Sequence, residues 1–203
     1  MERRIITISR EFGSGGRLIG KALAEALGIP FYDKILIDMA AQKSGLSPDF
    51  VAVKEEKPTS SLLYTLATST YSSGYPLHYD ASSNEKVFLT QSEIITDLAK
   101  QGSCVIVGRC AGYVLRDDPD RFSVFVYGSF DSRMKRCIEE YGMEAKGLSD
   151  FIIRSDKSRA NYHKYYTGDS WRDLSAYDLA INTARCGVKG AVDTILTMLG
   201  GID

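Results

Sequence analysis

The chain has 203 residues, of which 44% are hydrophobic and 25% charged, and its formal net charge is −1. This length and composition predict a single domain, residues 1–203, around one substantial core. A nearly neutral chain has no overall attraction for nucleic acid or an anionic membrane, and no apolar run approaches the ~20 residues that span a bilayer. The four cysteines are scattered without metal-ligand spacing and no signal segment is recognisable, which predicts a reduced, cytoplasmic protein.

The first predicted element is a strand at residues 5–9, a β-branched run that ends in a glycine-rich turn before a helix begins. Successive backbone N–H groups in such a turn form an anion-binding nest, and the positive end of the helix dipole points to the same place. This order predicts a phosphate cradle, although a plain strand-to-helix connection would use the same residues. The nucleotide-binding candidates are Gly13, Ser14, Gly15, Gly16, Arg17 and Leu18.

The turn departs from the phosphate-loop pattern G-x-x-x-x-G-K-[ST] at three positions. When the pattern is aligned on the last glycine of the run, Glu11 stands in the place of the first glycine and Arg17 in the place of the lysine. Leu18 then replaces the magnesium-binding hydroxyl, so Ser14, Ser9 or a water would supply that contact. Arg17 keeps the positive charge and can hold phosphate oxygens with its planar fork, which predicts a catalytic role for it.

A helix is predicted at residues 18–27, where apolar residues recur at helical spacing up to Gly28, and a short strand follows at 30–32. Asp33 ends that strand. Its carboxylate either orients magnesium through water or contacts a substrate, or it caps the helix predicted at 34–43. Further helices are predicted at 85–100, 129–141, 151–166 and 188–199, and further strands at 104–107, 123–127 and 179–182.

Strands and helices alternate along the chain, and the strands at 104–107 and 123–127 are continuous apolar runs. Both features predict an α/β fold, with a parallel sheet covered by helices on both faces. Arg109 follows the first of these strands and a glycine, so it lies at the carboxyl end of the sheet, where open α/β proteins bind ligands. We expect its guanidinium to clamp an acceptor phosphate; the alternative is a surface arginine paired with Asp117 or Asp118.

Three segments together resemble the cytidylate kinase-like group of P-loop nucleoside monophosphate kinases: the first strand with its loop, the Gly-Arg pair at 108–109, and the closing D-x-x-I-N-T segment at 178–183. The resemblance runs from about residue 4 to about residue 199. It implies a P-loop NTPase three-layer α/β/α fold with ATP and Mg²⁺ as cofactors. In this group an aspartate follows the Gly-Arg pair, where this chain has Cys110, which we expect to pack rather than react.

The resemblance also implies a helical acceptor-binding excursion at about 34–88 and a basic lid at about 151–170. The excursion is rich in tyrosine; these rings either stack on a base, or occupy half-buried helix positions or a dimer face. In the lid, Arg154 and Lys157 share one helix face while Arg159 projects elsewhere. Together the three resemble the arginine lid that closes over the transferring phosphoryl group, and a solvated face paired with Asp156 is the alternative.

The sequence thus predicts ATP-dependent phosphoryl transfer to a nucleoside monophosphate or a similar small phosphate acceptor, with small-molecule nucleotides as partners and a homo-oligomer left open. Such transfer needs positioning and electrostatic stabilisation more than covalent chemistry. A nucleotide sensor without turnover, which the atypical loop favours, and a P-loop kinase of a non-nucleotide metabolite are the alternatives. The predicted catalytic residues are Arg17, Arg154, Lys157 and Arg159; Asp33 and Arg109 are predicted to bind substrate, and Ser14 and Asp33 to contact the metal.

Overall fold

Five parallel strands form one sheet in the computed structural model, which describes residues 3–33, 36, 39 and 81–200. The strand order is β2-β3-β1-β4-β5, so β1 lies in the centre. Ile5 of β1 stands opposite Cys104 of β3 on one side and opposite Arg121 of β4 on the other. The strands are β1 (Ile5–Arg10), β2 (Phe31–Tyr32), β3 (Cys104–Val107), β4 (Arg121–Tyr127) and β5 (Leu179–Asn182).

Helices cover both faces of this sheet. α1 and α6 pack on one face, and α2 and α3 pack on the other. A third, smaller apolar cluster lies between α4 and α5. The helices are α1 (Gly16–Leu27), α2 (Ala81–Gln101), α3 (Ala111–Val114), α4 (Phe130–Glu139), α5 (Leu148–Thr167) and α6 (Thr183–Gly200), and a short 3₁₀ helix spans Leu174–Ala176.

The apolar runs form strands because their side chains are buried on both faces. In β1, Ile6 and Ile8 pack with α1 and α6, whereas Ile5 packs with α2. In β3, Val107 likewise packs with α1 and α6, and Ile106 packs with α2. Successive side chains of a strand point to opposite faces. A strand that is covered on both faces is therefore apolar throughout and does not alternate apolar with polar residues. The three-layer α/β/α arrangement predicted from the sequence is confirmed.

The observed helices differ from the predicted ones mainly at their ends. Ser129 accepts a hydrogen bond from the Ser132 N–H and caps α4, so this helix begins one residue later than predicted. Gly187 has non-helical angles (φ 66°, ψ −176°), and the helical segment before it, starting at Thr183, was not predicted. The four-residue helix α3 was not predicted either, because one turn is too short to show a periodicity.

Much of the predicted excursion at about 34–88 lies outside the described residues. Of the helix predicted at 34–43, the structure describes only Leu36 and Met39, and both are helical. The acceptor-binding role of the excursion and the single-domain boundary therefore stay predictions. Within the described ranges, no helix is long and apolar enough to cross a membrane. The tyrosines and serines singled out for this role, Tyr64, Tyr71, Ser72, Ser73, Tyr75 and Tyr79, all fall outside the described residues.

Candidate active site

The loop between β1 and α1 presents a set of backbone N–H groups at the carboxyl edge of the sheet. Gly15 adopts the left-handed conformation (φ 88°) and caps α1 without any side-chain hydrogen bond. Among the described residues, no acceptor is found for the N–H groups at positions 13, 15, 16, 17 and 18. Unpaired N–H groups at a helix start, together with the helix dipole, favour an anion.

Gly13 lets this loop lie directly on α4. Its φ is +74°, and a Cβ atom there would stand 2.8 Å from both the Arg133 backbone oxygen and the Cys137 Sγ. Cys137 is fully buried beneath the loop. Neither the backbone angle nor the available space admits a side chain, so glycine is required by geometry at this position.

Ser14 braces the loop from within. Its side chain is fully buried, and its Oγ donates to the Glu11 backbone oxygen at 2.8 Å. Thr183 Oγ1 donates to the Ser14 backbone oxygen at 2.7 Å, and Arg136 Nη1 donates to the Gly13 backbone oxygen at 3.1 Å. The magnesium contact predicted for Ser14 stays a prediction, and this geometry does not favour it because the hydroxyl is buried and engaged inside the loop.

Glu11 is an anchor of the loop, not merely a missing glycine. Its carboxylate is nearly buried, and Oε1 lies 2.8 Å from Arg172 Nη2. Oε2 lies 3.4 Å from Arg133 Nε and accepts the Gly128 N–H at 3.3 Å. The loop is thereby tied to α4 and to the end of β4.

Asp156 ties the loop to α5 in a similar way. Its Oδ1 accepts the Phe12 N–H at 2.7 Å, and its Oδ2 accepts from Arg133 Nη1 at 2.5 Å. Arg133 Nη1 also donates to the Phe12 backbone oxygen at 3.1 Å. Two buried carboxylates and two guanidinium groups therefore balance their charges around the loop, as buried ions must. We call these four residues, Glu11, Arg133, Asp156 and Arg172, the loop anchor.

Asp33 stands at the opposite side of the loop from the loop anchor and holds two arginines. Its Oδ2 accepts from Arg17 Nε at 2.7 Å, and its Oδ1 lies 3.7 Å from Arg10 Nη2. Arg17 remains 61% exposed, so its guanidinium can still reach a ligand. The Asp33 backbone oxygen accepts the Leu36 N–H at 3.2 Å, as at a helix start, and its side chain is used for the arginines.

The turn after β3 is strained at the residue predicted to clamp an acceptor. Arg109 (φ 56°) and Cys110 (φ 53°) both adopt the left-handed region, which costs non-glycine residues roughly 1–2 kcal/mol each. Such strain often accompanies a function. The two carboxylates considered as partners of Arg109 each have another arginine beside them, since Asp118 lies 2.6 Å from Arg3 and Asp117 lies 3.7 Å from Arg116.

Cys110 packs, as expected from the sequence. It is 8% exposed, and burial raises the pKa of its thiol to about 12, an effect that the nearby Arg109 charge only partly opposes. A thiol with so high a pKa holds almost no thiolate near neutral pH, so it is a poor nucleophile.

Helix α5 separates the three predicted lid residues. Its buried face carries Leu148, Ile152 and Asp156, and Arg159 follows one turn later. Arg159 Nη1 donates to the Arg10 backbone oxygen at 3.0 Å, and its guanidinium carbon stands 5.4 Å from the centre of the Phe12 ring. Burial lowers the pKa of Arg159; the Asp156 carboxylate opposes this effect, and the positive charge of Arg109 lowers the pKa further.

The other basic residues of α5 point elsewhere. Arg154 and Lys157 are exposed on faces away from the loop. His163 shares its Nδ1 with Thr167 Oγ1 at 3.1 Å and lies 3.3 Å from the Asp169 backbone oxygen, and burial lowers its pKa. These contacts close the end of the helix, so His163 has a structural role here.

The acidic residue of the closing segment, Asp178, has a structural role. Asp178 Oδ2 accepts hydrogen bonds from both the N–H and the Oγ of Ser123, each at 2.7 Å, and so fixes β5 against β4. Thr183 contributes to the loop through the Ser14 oxygen, as described above. Across the part of the chain that the structure describes, no group of three or more His, Cys, Asp or Glu side chains could hold a metal ion.

The comparisons with known proteins agree with this geometry. The model of the cytidylate kinase-like family matches residues 5–185, which is most of the chain. The chain belongs to the cytidylate kinase-like family. It is 28% identical over 197 residues to the cytidylate kinase of Methanothrix thermoacetophila, covering 96% of this chain and 97% of that protein. The cytidylate kinase of Pyrobaculum aerophilum is 24% identical over 191 residues, covering 93% and 88%.

Solved structures extend the likeness. An uncharacterized protein from Eubacterium ventriosum superposes with a TM-score of 0.72 at 30% identity, covering 98% of this chain and 99% of that one. Shikimate kinase from Bacteroides thetaiotaomicron superposes with a TM-score of 0.54 at 17% identity, covering 98% and 99%, and this shows the fold alone. The chain is therefore a member of a kinase family with a P-loop kinase fold.

Sequence reasoning missed most of the loop anchor. Glu11 was considered only as a departure from the glycine pattern, and Asp156 only as the partner of a solvated face. Arg133 and Arg136 were not considered at all, although their spacing of three residues on one predicted helix was a signal that they share a face. No local pattern pointed to Arg172, which reaches Glu11 across more than 150 residues of chain.

Proposed function

We propose that this member of the cytidylate kinase-like family transfers the γ-phosphoryl group of ATP to a nucleoside monophosphate or a similar small phosphate acceptor. The observation that carries the proposal is the convergence of four arginines on one N–H-lined loop. Arg17 and Arg10 meet at Asp33, Arg159 donates to the Arg10 backbone oxygen, and Arg109 directly follows Gly108, which lies against the Arg10 guanidinium. Phosphoryl transfer spreads negative charge over several oxygens, which such a cluster can stabilise.

The residues present fit a nucleoside triphosphate. The N–H groups at positions 13 and 15–18 face no acceptor among the described residues and can hold phosphate oxygens, with Arg17 beside them. The residues also fit Mg²⁺, because Asp33 provides a carboxylate at this edge of the sheet. Mg²⁺ is commonly held by one or two carboxylates, waters and substrate phosphates, so a single carboxylate suffices. When bound, the metal ion would neutralise charge on the β- and γ-phosphate oxygens.

Each arginine has a separate task in this proposal. Arg109, at the end of β3, orients the acceptor phosphate. Arg159 contacts the Arg10 backbone oxygen and the Phe12 ring, so it covers the charge that develops during transfer, while burial around it limits water. Arg154 and Lys157 are exposed and can contribute only at longer range or after α5 moves.

A coupled assay tests the proposal directly. Purified wild-type protein with ATP and Mg²⁺ is offered a panel of ribo- and deoxyribonucleoside monophosphates, and a second panel of phosphorylated and unphosphorylated metabolites. We expect ADP formation with at least one monophosphate. If transfer occurs only to members of the second panel, the acceptor is a metabolite and not a nucleoside monophosphate. If ATP raises the melting temperature but no acceptor supports turnover, the protein is a sensor and the kinase proposal is wrong.

Replacing Arg109 by alanine should impair use of the acceptor and spare the donor. Loss of a charged hydrogen bond costs about 1.5–3 kcal/mol, which corresponds to roughly a ten- to hundredfold loss in kcat/KM for the acceptor. The Kd of a non-hydrolysable ATP analogue should change less than threefold. Steady-state kinetics and calorimetry measure the two quantities, with the exposed Lys189→Ala as the control variant. Equal losses for donor and acceptor would remove Arg109 from the acceptor site.

A further inference from the structure

The boundaries of β1 and α1 define a second register for the phosphate loop. The phosphate-loop pattern runs from strand to helix, with the first glycine at the end of the strand and the lysine at the helix start. In this structure Arg10 is the last residue of β1, Gly15 caps the helix and Gly16 is the first residue of α1. With Gly15 as the second glycine of the pattern, Gly16 falls in the lysine position and Arg10 in the position of the first glycine. The glycine and the cation have exchanged places.

A steric contact connects the two exchanged positions. A Cβ atom added to Gly16 would lie 2.5 Å from the Arg10 Cβ and 2.9 Å from its Cγ. Such distances do not occur between real side chains, so no side chain fits at position 16 while Arg10 is present. The Arg10 side chain therefore occupies the space through which a lysine at position 16 would leave the helix.

The Arg10 guanidinium ends between Gly108 and Asp33, at the carboxyl edge of the sheet. It lies against Gly108, where any side chain would collide with Nη1, and its Nη2 stands 3.7 Å from Asp33 Oδ1. Gly16 and Gly108 thus form a slot for this arginine between the loop and the end of β3. The Arg10 side chain is 20% exposed, so it is neither sealed in the core nor free in solvent.

We propose that Arg10 is the phosphate-binding cation of the loop. It replaces the lysine of the standard pattern, but its side chain comes from the end of β1 and not from the start of α1. The inference rests on the proposed function, whose donor it would bind. Arg17 then stands in the place of the hydroxyl residue and pairs with Asp33. This assignment differs from the one expected from sequence, in which Arg17 replaced the lysine.

Reciprocal exchange tests this inference through binding of inorganic tripolyphosphate and of ADP without metal, measured by calorimetry. Arg10→Gly should weaken both about ten- to hundredfold, the loss expected for a charged hydrogen bond. Gly16→Lys alone should lower the melting temperature, because the new side chain collides with Arg10. The double variant R10G/G16K should recover at least tenfold of the lost affinity, because glycine and cation return to the standard arrangement.

Arg10→Met and Arg17→Ala complete the design. Arg10→Met keeps the packing in the slot and removes the charge, so its loss should match that of Arg10→Gly even if the glycine variant folds poorly. Arg17→Ala should lose less affinity than either Arg10 variant. A folded Arg10→Met that binds tripolyphosphate within twofold of wild type, or a larger loss in Arg17→Ala, overturns the inference. Because binding is read without turnover, a wild-type protein that binds tripolyphosphate but transfers nothing refutes only the proposed function.

Discussion

Replacing Arg133 by methionine should lower the free energy of unfolding by about 3–5 kcal/mol, the cost of removing one partner from a buried ion pair. The guanidinium is 7% exposed and contacts both carboxylates of the loop anchor, Glu11 and Asp156, which are 10% and 7% exposed. Methionine fills a similar length of space but leaves these two carboxylates facing each other. Arg172, whose side chain is 57% exposed, still lies within ion-pair distance of both, and Arg159 acts electrostatically on Asp156.

Urea unfolding followed by circular dichroism measures this loss. The exposed Lys135→Ala on the same helix is the matched control and should stay within about 0.5 kcal/mol of wild type. A second variant, Asp156→Leu, and the double variant with Arg133→Met give a coupling energy for the pair. We expect the double variant to be less destabilised than the sum of the two single variants. A loss below 1 kcal/mol for Arg133→Met would mean that the loop anchor does not hold the loop.

Replacing Arg159 by alanine should reduce kcat by at least roughly 10³-fold, the lower end of what an arginine over a transferring phosphoryl group contributes. Arg159 is the lid residue that contacts the loop, through the Arg10 backbone oxygen and the Phe12 ring. Arg159→Lys should recover little, because an ammonium cannot reproduce the planar fork and its several donors. KM for ATP should change much less than kcat, since the loop still binds the donor.

The other two lid residues sharpen this prediction. Arg154→Ala and Lys157→Ala should each lower kcat less than tenfold, because both side chains are exposed and away from the loop. Initial-rate kinetics with the acceptor identified in the monophosphate panel give all three values. If Arg154 or Lys157 proved more important than Arg159, α5 would have to rotate or shift during the reaction, and the present geometry would not be the catalytic one.

The strands were predictable because each is a short apolar run between turn residues. The bounds of β3 and β5 agree with those expected, and β4 begins two residues earlier, at Arg121, since pairing with β1 continues there. The glycine-rich loop between β1 and α1 was also predictable, because glycines between a strand and a helix are a local signal. The register of the loop was not, because the contact of Gly16 with Arg10 joins two backbone segments and the sequence pattern leaves it open.

The loop anchor was hidden for a different reason. Glu11 and Arg133 are more than 120 residues apart, so no local periodicity links them. On α5, helical spacing grouped Arg154 with Lys157, but the helix buries a different face, that of Ile152 and Asp156, against the loop. A buried aspartate in a basic segment is not visible from composition. Its position becomes clear only when the third apolar cluster fixes the rotation of α5.

The central place of β1 has a consequence for the synthesis of this protein. β1 leaves the ribosome well before its two neighbours, because Ile5 pairs with Cys104 and Arg121. At about 5–20 residues per second, roughly 5–20 s pass before the first of these neighbours has been made. During that time the isoleucines of β1 have no sheet to join, and pairing over so long a separation folds slowly. The glycine-rich loop after β1 is therefore synthesised before β3 and β4, and its surroundings are completed only when those strands have paired with β1.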